Sequence, residues 1–557
     1  MRLGTGIAVA CLSTLAGAAC HRGVERDIQQ ELRQRTAAEQ APAFVRGVRW
    51  SLLQQLYRDR EYRSLWMRSA RPAGRARELV RTICRSGAEG LRPGDYDLGG
   101  LRAALRKLEE AERPDPVDLA ALDLRLTSIM LGFGTDLLSG RLDPRTVDDG
   151  WYLTRRRSSV DSTLRAALQD DDSPDVLESL RPRQKEYDEL LEALRDHREI
   201  LRKGGWGSVP ARKALSEGDK GERVAALRRR LHATGDLGSG GDSDEFDREV
   251  ASAVARFRVR HGLVGDSVAD RVTIGAMNVP VETRIRQIEI NLDRYRWLPA
   301  ELTERYVLVN IPDYHLYAYD GGKPKFEQRV IVGDQYQNAT PVFADSMTYL
   351  VFRPEWNVPP GILSREILPA LQDDDDYDLA ARGLEVLDST GKVVKDPSEI
   401  DWDDVDTADM PYRIRQKPGP TNALGRVKFM FPNRFNIYLH DTPSRKLFDR
   451  ERRTLSHGCV RVEDPLQLAA FVLDGQDGWD ESKIEAAMDR SAKGNRMVSL
   501  EEPLPVYLLY LTAFVRDGQV HFRNDPYGKD RRAMGRVGAP ALEPPTVCEE
   551  IERLLGG

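Results

Sequence analysis

The sequence predicts a multidomain α+β protein: a helical scaffold domain, then a small three-helix domain, then a mainly β domain that carries one long insertion. Three observations lead there. Residues 22 to about 200 repeat apolar side chains at three- and four-residue spacing, the pattern of amphipathic helices. Residues 215–280 do so again in short stretches separated by glycine turns. From Arg305 the chain changes to runs rich in Val, Tyr, Phe and Ile, closed by Gly, Pro and Asn turns. A chain of 557 residues is long enough for about three such cores.

The opening residues, MRLGTGIAVACLSTLAGAAC (1–20), combine Arg2 with an uncharged run from Leu3 to Cys20. They read as an export signal, and Ala16-Gly17-Ala18 fits cleavage after small residues. The ending is also similar to a bacterial lipoprotein signal with Cys20 as the lipidated residue, and an uncleaved membrane anchor is the third reading. All three place the bulk of the chain in the periplasm.

In the helical scaffold domain, 22–210, Leu79, Ile83 and Cys84 share one side of a helix, and a strongly apolar helix ends at Gly140. No polar constellation there has catalytic spacing. The 215–280 unit places Val224, Leu227 and Leu231 on one helix face and Val250, Val254 and Phe257 on the next. A charged linking helix over 281–304 has a packing stripe of Ile285, Ile288, Leu292 and Tyr295. The β domain spans 305–495. Its insertion, about 361–424, begins as a helix and becomes acidic and turn-rich, which predicts a lid over a cleft. Asp373–Asp376 within it lacks the alternating ligands of a calcium loop. Residues 496–557 read as a C-terminal segment packing on the scaffold, with a strand pair around Asp517-Gly518.

Composition excludes some classes. With 83 basic and 89 acidic residues interspersed along the chain, there is no concentrated basic surface of the kind nucleic acid requires. Five cysteines are too few for a disulfide scaffold and too scattered for a zinc ribbon. An oxidising compartment permits one bridge, Cys84 to Cys548, although spacing alone does not establish it.

That pairing leaves Cys459, in the stretch TLSHGCVRVED. A free cysteine packs by default as a small hydrophobe. The neighbours of this one favour a nucleophile. Gly458 keeps bulk off the approach path, and amides around a glycine turn can face a developing oxyanion. Arg461 can lower the thiol pKa or hold a carboxylate. A zinc site is short of ligands, because His440, His457 and Cys459 supply at most three. The base is better sought in His440, 19 residues upstream at the end of FNIYLHD, than in adjacent His457. Two neighbouring strands joined by such a connection set imidazole beside sulfur, and the pair could rest as thiolate and imidazolium. The backbone carbonyl of Asp441 is placed to orient the imidazole.

The residues His440, Ser456, His457, Gly458, Cys459, Val460 and Arg461 resemble the signature of the L,D-transpeptidases, the YkuD catalytic family. The stretches NLDRYRWLP, FRPEWNVPP, KPGPTNALGRVKFMFPN and LPVYLLYLTAFV are similar to the large periplasmic YcbB-like branch of that family. The 215–280 unit resembles a three-helix peptidoglycan-binding module through Gly218, Gly221, Val224, Leu227, Leu231, Phe257, Gly262 and Leu263; Arg228 and Arg258 stand where that module has glutamine. The resemblance implies Cys459 as nucleophile, His440 as base, Gly458 as oxyanion donor and Asp441 as orienting carbonyl. Ser456, His457, Arg461, Tyr438, Asn422 and Trp356 become supporting or substrate-binding residues. It implies 3→3 cross-linking between diaminopimelate residues of tetrapeptide stems, through a thioester and with release of D-alanine. The thioester keeps the energy of the cleaved bond, so no metal or other cofactor is implied. Peptidoglycan stems are then the partners, with cell-wall synthesis proteins as further candidates and nucleic acid excluded. A carboxypeptidase, an enzyme attaching or releasing a wall-linked lipoprotein, and a non-enzymatic wall-binding scaffold are the alternatives.

Overall fold

The apolar stripes of the first third close into a core of their own. Helices α1 (Gly74–Cys84), α2 (Leu98–Glu109) and α3 (Pro116–Ser139) bury Leu79, Ile83, Leu101, Leu105, Leu122 and Leu126 against one another. Asp115 caps α3 by accepting from Val117 N–H, and Pro116 needs no partner at the first position. Gly140 ends α3 at φ 74°, where a β-carbon would lie 2.5 Å from Nε1 of Trp297. The C-terminal helix, Val547–Gly556, packs on α1 and α2, and Cys548 forms a disulfide with Cys84. The structure, a computed structural model, describes residues 23–556 apart from 46–47, 154–161, 163–176, 239–242, 300–301, 336–337, 374–376, 406–409, 490–493 and 539–545. The signal and Cys20 lie outside the described residues. Among these, no helix is long and apolar enough to cross a membrane.

Helix α4 (Lys185–Arg202) parts from the scaffold core. Its Tyr187, Leu190 and Leu194 enter the larger core that also holds the β domain. Helices α5 (Glu222–Ala233), α6 (Arg248–Arg260) and α7 (Arg271–Met277) enclose Val224, Leu227, Leu231, Val250, Val254, Phe257 and Met277. The two arginines that stand for glutamine are buried and bonded: Arg228 donates to Glu245 O at 3.0 Å, and Arg258 donates to Val264 O at 2.7 Å. Helix α8 (Val281–Trp297) is the linking helix. It is buried on nearly every side, well beyond the single stripe its sequence suggests.

The main sheet contains β1 (Tyr306–Asn310), β2 (His315–Asp320), β3 (Lys323–Gly333) and β4 (Phe343–Phe352). Three short lid strands follow: β5 (Trp356–Asn357), β6 (Leu384–Leu387) and β7 (Arg413–Gln416). The chain then returns to the main sheet with β8 (Val427–Met430), β9 (Leu439–His440), β10 (Thr454–Ser456), β11 (Val460–Val462) and β12 (Arg496–Leu509). The order is β10-β3-β11-β9-β8-β4-β12-β1-β2, and β2 pairs β3, so the sheet closes on itself.

Two boundaries differ from the sequence expectation. The 496–557 segment does not pack on the scaffold as a unit, because β12 lies inside the sheet, parallel to β1 and antiparallel to β4. Its apolar run Val506–Leu509 needs cover on both faces and finds it there. The hairpin β13 (Ala513–Arg516) and β14 (Gln519–Phe522) turns at Asp517-Gly518 as expected; beyond it Lys529 meets Asp148 at 2.6 Å, and the terminal helix packs on α1 and α2. The insertion expected to be a lid is a folded unit and starts earlier, at Trp356. Its strand order is β5-β7-β6, and Val358, Ile362, Leu363, Ile367, Leu384, Val386 and Ile414 form a separate small core. Its acidic residues conceal those apolar positions because turns break their periodicity.

Replacing Cys548 with Ser should lower the scaffold's unfolding transition by about 2–5 kcal/mol while leaving that of the β-domain core in place. Differential scanning calorimetry checks this; a scaffold transition that stays put would show the bridge to be dispensable.

Candidate active site

Strand register builds the site. β9 and β11 run parallel, with Leu439 opposite Val460 and His440 opposite Arg461. Val460 N–H donates to Tyr438 O at 3.1 Å, so Tyr438 and Cys459 stand beside one another one step earlier. On β8, Lys428 is opposite His440. Side chains two residues apart on a strand share a face, and so do those on one rung. Lys428, Tyr438, His440, Cys459 and Arg461 therefore project from the same face, while Val427, Phe429, Leu439, Val460 and Val462 fill the core. The Tyr438 and His440 rings lie 5.6 Å apart, and Lys428 Nζ sits 5.2 Å from the Tyr438 ring centre.

His440 is buried, and its Nδ1 donates to the carbonyl of Asp441 at 2.6 Å. A carbonyl only accepts, so the proton is on Nδ1 and Nε2 is left with its lone pair. The Asp441 carboxylate holds that carbonyl in place, accepting from Arg426 N–H at 2.8 Å and from Arg445 at 3.3 Å. Gly425 allows the close approach: at φ 62°, a β-carbon there would collide with the carboxyl group.

The cysteine loop is shaped from within. Gly458 has φ 111° and its carbonyl accepts from Thr340 Oγ1 at 2.7 Å. Ser456 Oγ donates to Cys459 O and accepts from Gly458 N–H at 3.2 Å. The Gly458 amide is thus engaged inside the loop, and the glycine supplies shape where an oxyanion donor was expected. Cys459 is half-buried and free, with Sγ 3.6 Å from Asn436 O. His457 points the other way, to Glu366 in the helical lid segment.

The remaining two expected residues are not on this face. Trp356 is half-buried in the lid sheet opposite Gln416. Asn422 is fully buried at the lid hinge, donating to Pro354 O at 3.0 Å and Lys417 O at 2.8 Å and accepting from Leu424 N–H at 2.8 Å. Its bonding capacity is taken by backbone, so it braces the loop where the insertion rejoins the main sheet. Sequence reasoning missed Lys428 and Glu366. Alternation in Val427-Lys428-Phe429 marks the lysine as facing away from the core, but nothing local pairs it with His440.

Residues 304–484 match the family model described as "L,D-transpeptidase catalytic domain", the YkuD family. This stretch, about a third of the chain, is similar to the YkuD catalytic domain. Residues 51–194 match a "Scaffold domain" model and residues 220–277 a "Putative peptidoglycan binding domain" model. A protein of Haemophilus influenzae named "Putative L,D-transpeptidase" is 38% identical over 275 residues, which cover 48% of this chain and 54% of that protein. The match thus spans about half the length of that relative. Solved L,D-transpeptidase structures from Xylanimonas cellulosilytica and Stackebrandtia nassauensis are 17% and 15% identical, cover 54% and 56% of this chain and 99% and 98% of theirs, and have TM-scores of 0.17 and 0.21.

Burial sets the resting charges of the YkuD-domain pair. It pushes the Cys459 thiol above its ordinary value, against the Tyr438 hydrogen bonds and the nearby Lys428 and Arg461 charges. Burial, with repulsion from Arg461 and Lys428, lowers His440 to about 3. The pair therefore rests as thiol and neutral imidazole, in place of the ion pair the sequence allowed. Lys428 and Arg461 are themselves held below their ordinary values by burial, which a thiolate at Cys459 would offset in part. Arg461 Nε is buried without a hydrogen-bond partner.

Alkylation of Cys459 by iodoacetamide should consequently keep rising between about pH 6 and 10, because a raised thiol pKa leaves little thiolate near neutrality. A rate already level below pH 7 would reveal a preformed ion pair. Asn422→Ala should strand three backbone carbonyls and one amide, destabilising this loop by about 2–3 kcal/mol; faster proteolysis within 356–416 would report it, and unchanged cleavage would refute the bracing role.

Proposed function

We propose that this chain is an L,D-transpeptidase that joins two peptidoglycan stem peptides. The observation that carries this reading is the shared strand face of Cys459 and His440, with the free Nε2 lone pair of His440 as base. Cys459 Sγ attacks the carbonyl at the L-centre of diaminopimelate. His440 Nε2 takes the thiol proton and delivers it to the departing D-alanine amine as the C–N bond breaks and the C–S bond remains. The side-chain amine of a second stem then attacks the thioester. Its proton passes through His440 to the sulfur, giving a 3→3 link and free enzyme.

With the Gly458 amide engaged, the donors beside the sulfur are the Cys459 amide and the Tyr438 hydroxyl, and these are assigned to the oxyanion. Lys428 and Arg461 lack a carboxylate partner on this face, which favours a donor with a carboxylate close to the scissile bond. Glu366 and His457 join lid to loop and are assigned to substrate admission, with Trp356 at the lid's base. The Cys84–Cys548 bridge supports an oxidising, extracytoplasmic location. Assignment to the YcbB-like branch rests on the sequence stretches flanking the site.

Incubation with a tetrapeptide donor should give a thioester adduct by intact mass, absent in Cys459→Ala. His440→Ala should slow acylation by about 100- to 10,000-fold. With purified tetrapeptide muropeptides, diaminopimelate–diaminopimelate dimers and D-alanine should appear together. Tripeptide alone would make the protein a carboxypeptidase, and reaction only with a lysine-ended lipoprotein would make it an attachment enzyme. A thioester on Cys459→Ala would remove the nucleophile assignment.

A further inference from the structure

A second cavity, of about 420 Å³, lies where α4, the three-helix domain, α8 and the β13–β14 hairpin meet. None of its residues comes from the strands that carry Cys459 and His440. Helix α4 contributes Glu189, Glu192 and Asp196, which at i, i+3 and i+7 share one helix face. The three-helix domain contributes Arg230 and Arg260, and α8 contributes Arg284.

The guanidiniums are not equally compensated. Arg260 is matched by Asp236, with Nε–Oδ1 at 3.0 Å and Nη2–Oδ2 at 2.6 Å. Arg230 bonds Met277 O and Thr234 Oγ1 and stacks 4.0 Å over the Trp206 ring. Arg284 bonds Gln287 Oε1 and Ala276 O. These contacts are neutral ones. Arg284 is 8% exposed, and its Nε has no hydrogen-bond partner. Burial disfavours the charge of both Arg230 and Arg284, and mutual repulsion with Arg260 adds to it; Asp236 offsets part of the cost at Arg230 and Asp530 part of it at Arg284. A guanidinium keeps its charge regardless, so an anion entering the cavity would relieve the cost.

Two histidines add the opposite preference. His197 Nδ1 donates to Ala193 O at 2.7 Å and His261 Nδ1 to Phe257 O at 2.8 Å. Both Nε2 atoms are therefore lone-pair acceptors, and burial keeps both rings neutral. The rings stand 5.6 and 5.7 Å from Phe522. Lone pairs and carboxylates suit a cationic nitrogen; the arginines suit an acid.

We propose that this cavity binds a free amino-acid end, an ammonium and a carboxylate on one carbon, with Arg284 and Arg230 receiving the carboxylate and the imidazole Nε2 atoms with Glu192 and Asp196 receiving the ammonium. Such an end has two sources, the free side-chain centre of diaminopimelate on a stem or a small amino acid such as D-alanine. Both candidates rest on the proposed reaction; the site itself does not.

The test uses the full chain with Cys459 alkylated, titrated by calorimetry with D-alanine, with a tetrapeptide stem, and with that stem acetylated on its side-chain amine. Glu192 and Asp196 are exposed, so the double variant Glu192→Lys, Asp196→Lys leaves the core undisturbed; Arg284→Gln probes the other pole. Saturable binding should weaken about tenfold or more in the double variant and be lost on acetylation. Tighter binding of the stem identifies the wall as the source, and tighter binding of D-alanine the released product. No saturable binding, or equal binding in the parent and both variants, overturns the proposal. Thioester formation on the unalkylated chain, scored separately by mass, distinguishes failure of this site from failure of the proposed reaction.

Discussion

Four ionisable side chains of α8, Glu289, Asp293, Arg294 and Arg296, are almost wholly removed from water, and a charge in that position is costly unless it is matched. The matches come from every side. Arg198 of α4 meets Glu289 at 2.8 Å, Asp530 meets Arg294 at 2.6 Å, and Asp293 meets Arg296 at 2.8 Å within the helix. Arg296 also donates to Tyr187 Oη at 2.7 Å. Breaking one such pair would leave a buried charge at a cost of about 3–5 kcal/mol. The neutral residues of α8 extend the pattern, since Gln287 donates to Thr512 O and Asn291 to Thr512 Oγ1. A helix bonded in this way fixes α4, the β13–β14 hairpin and the sheet in one arrangement. Ion pairs of this kind need not add net stability; their role here is to exclude other arrangements.

The catalytic face depends on that arrangement through register. A one-residue slip between β9 and β11 would turn Cys459 into the core and bring Val460 to the surface. The slip is opposed by Leu439, Val460, Val462 and Phe429, all fully buried. Asp441 then performs two tasks from one position. Its carboxylate ties the hinge at Gly425 and Arg426 to Arg445, and its carbonyl fixes the imidazole tautomer. The anchoring of the lid hinge and the orientation of the base are one piece of structure.

How much of this was legible in the sequence differs by type of interaction. Local signals carried over well. Asp517-Gly518 marks its hairpin, Gly140 ends its helix, and the His440–Cys459 spacing announces two strands that place imidazole and sulfur on one face. Cys84 and Cys548 are 464 residues apart, and only the terminal helix packing on α1 and α2 brings them together. The buried charges of α8 were unreadable, because a charged residue looks like solvated surface until its distant partner is known. Asn422 shows the same limit: a polar residue in a glycine- and proline-rich stretch suggests a binding loop, and the four backbone groups that engage its side chain are not readable from sequence. The small core of the lid was hidden because its apolar residues alternate with turns and acids and show no single period.

The resting charges of the face bear on how such a site is used. A thiol and a neutral imidazole are stable where they are, since neither carries a charge into a buried place. Lys428 and Arg461 are the unbalanced members, and they lie beside the sulfur. Burial first, and repulsion from these cations second, hold His440 near 3; an anionic group arriving there would neutralise the cations and lift that second contribution, making the imidazole a stronger base when the group is in place. The same cations stabilise sulfur as it gains negative charge during proton transfer. A thiolate formed without substrate is exposed to oxidation and to water-borne electrophiles in an oxidising compartment. On the proposed reaction, a neutral pair activated by the charge of what it binds keeps the thiol quiet until the bond to be cleaved is beside it.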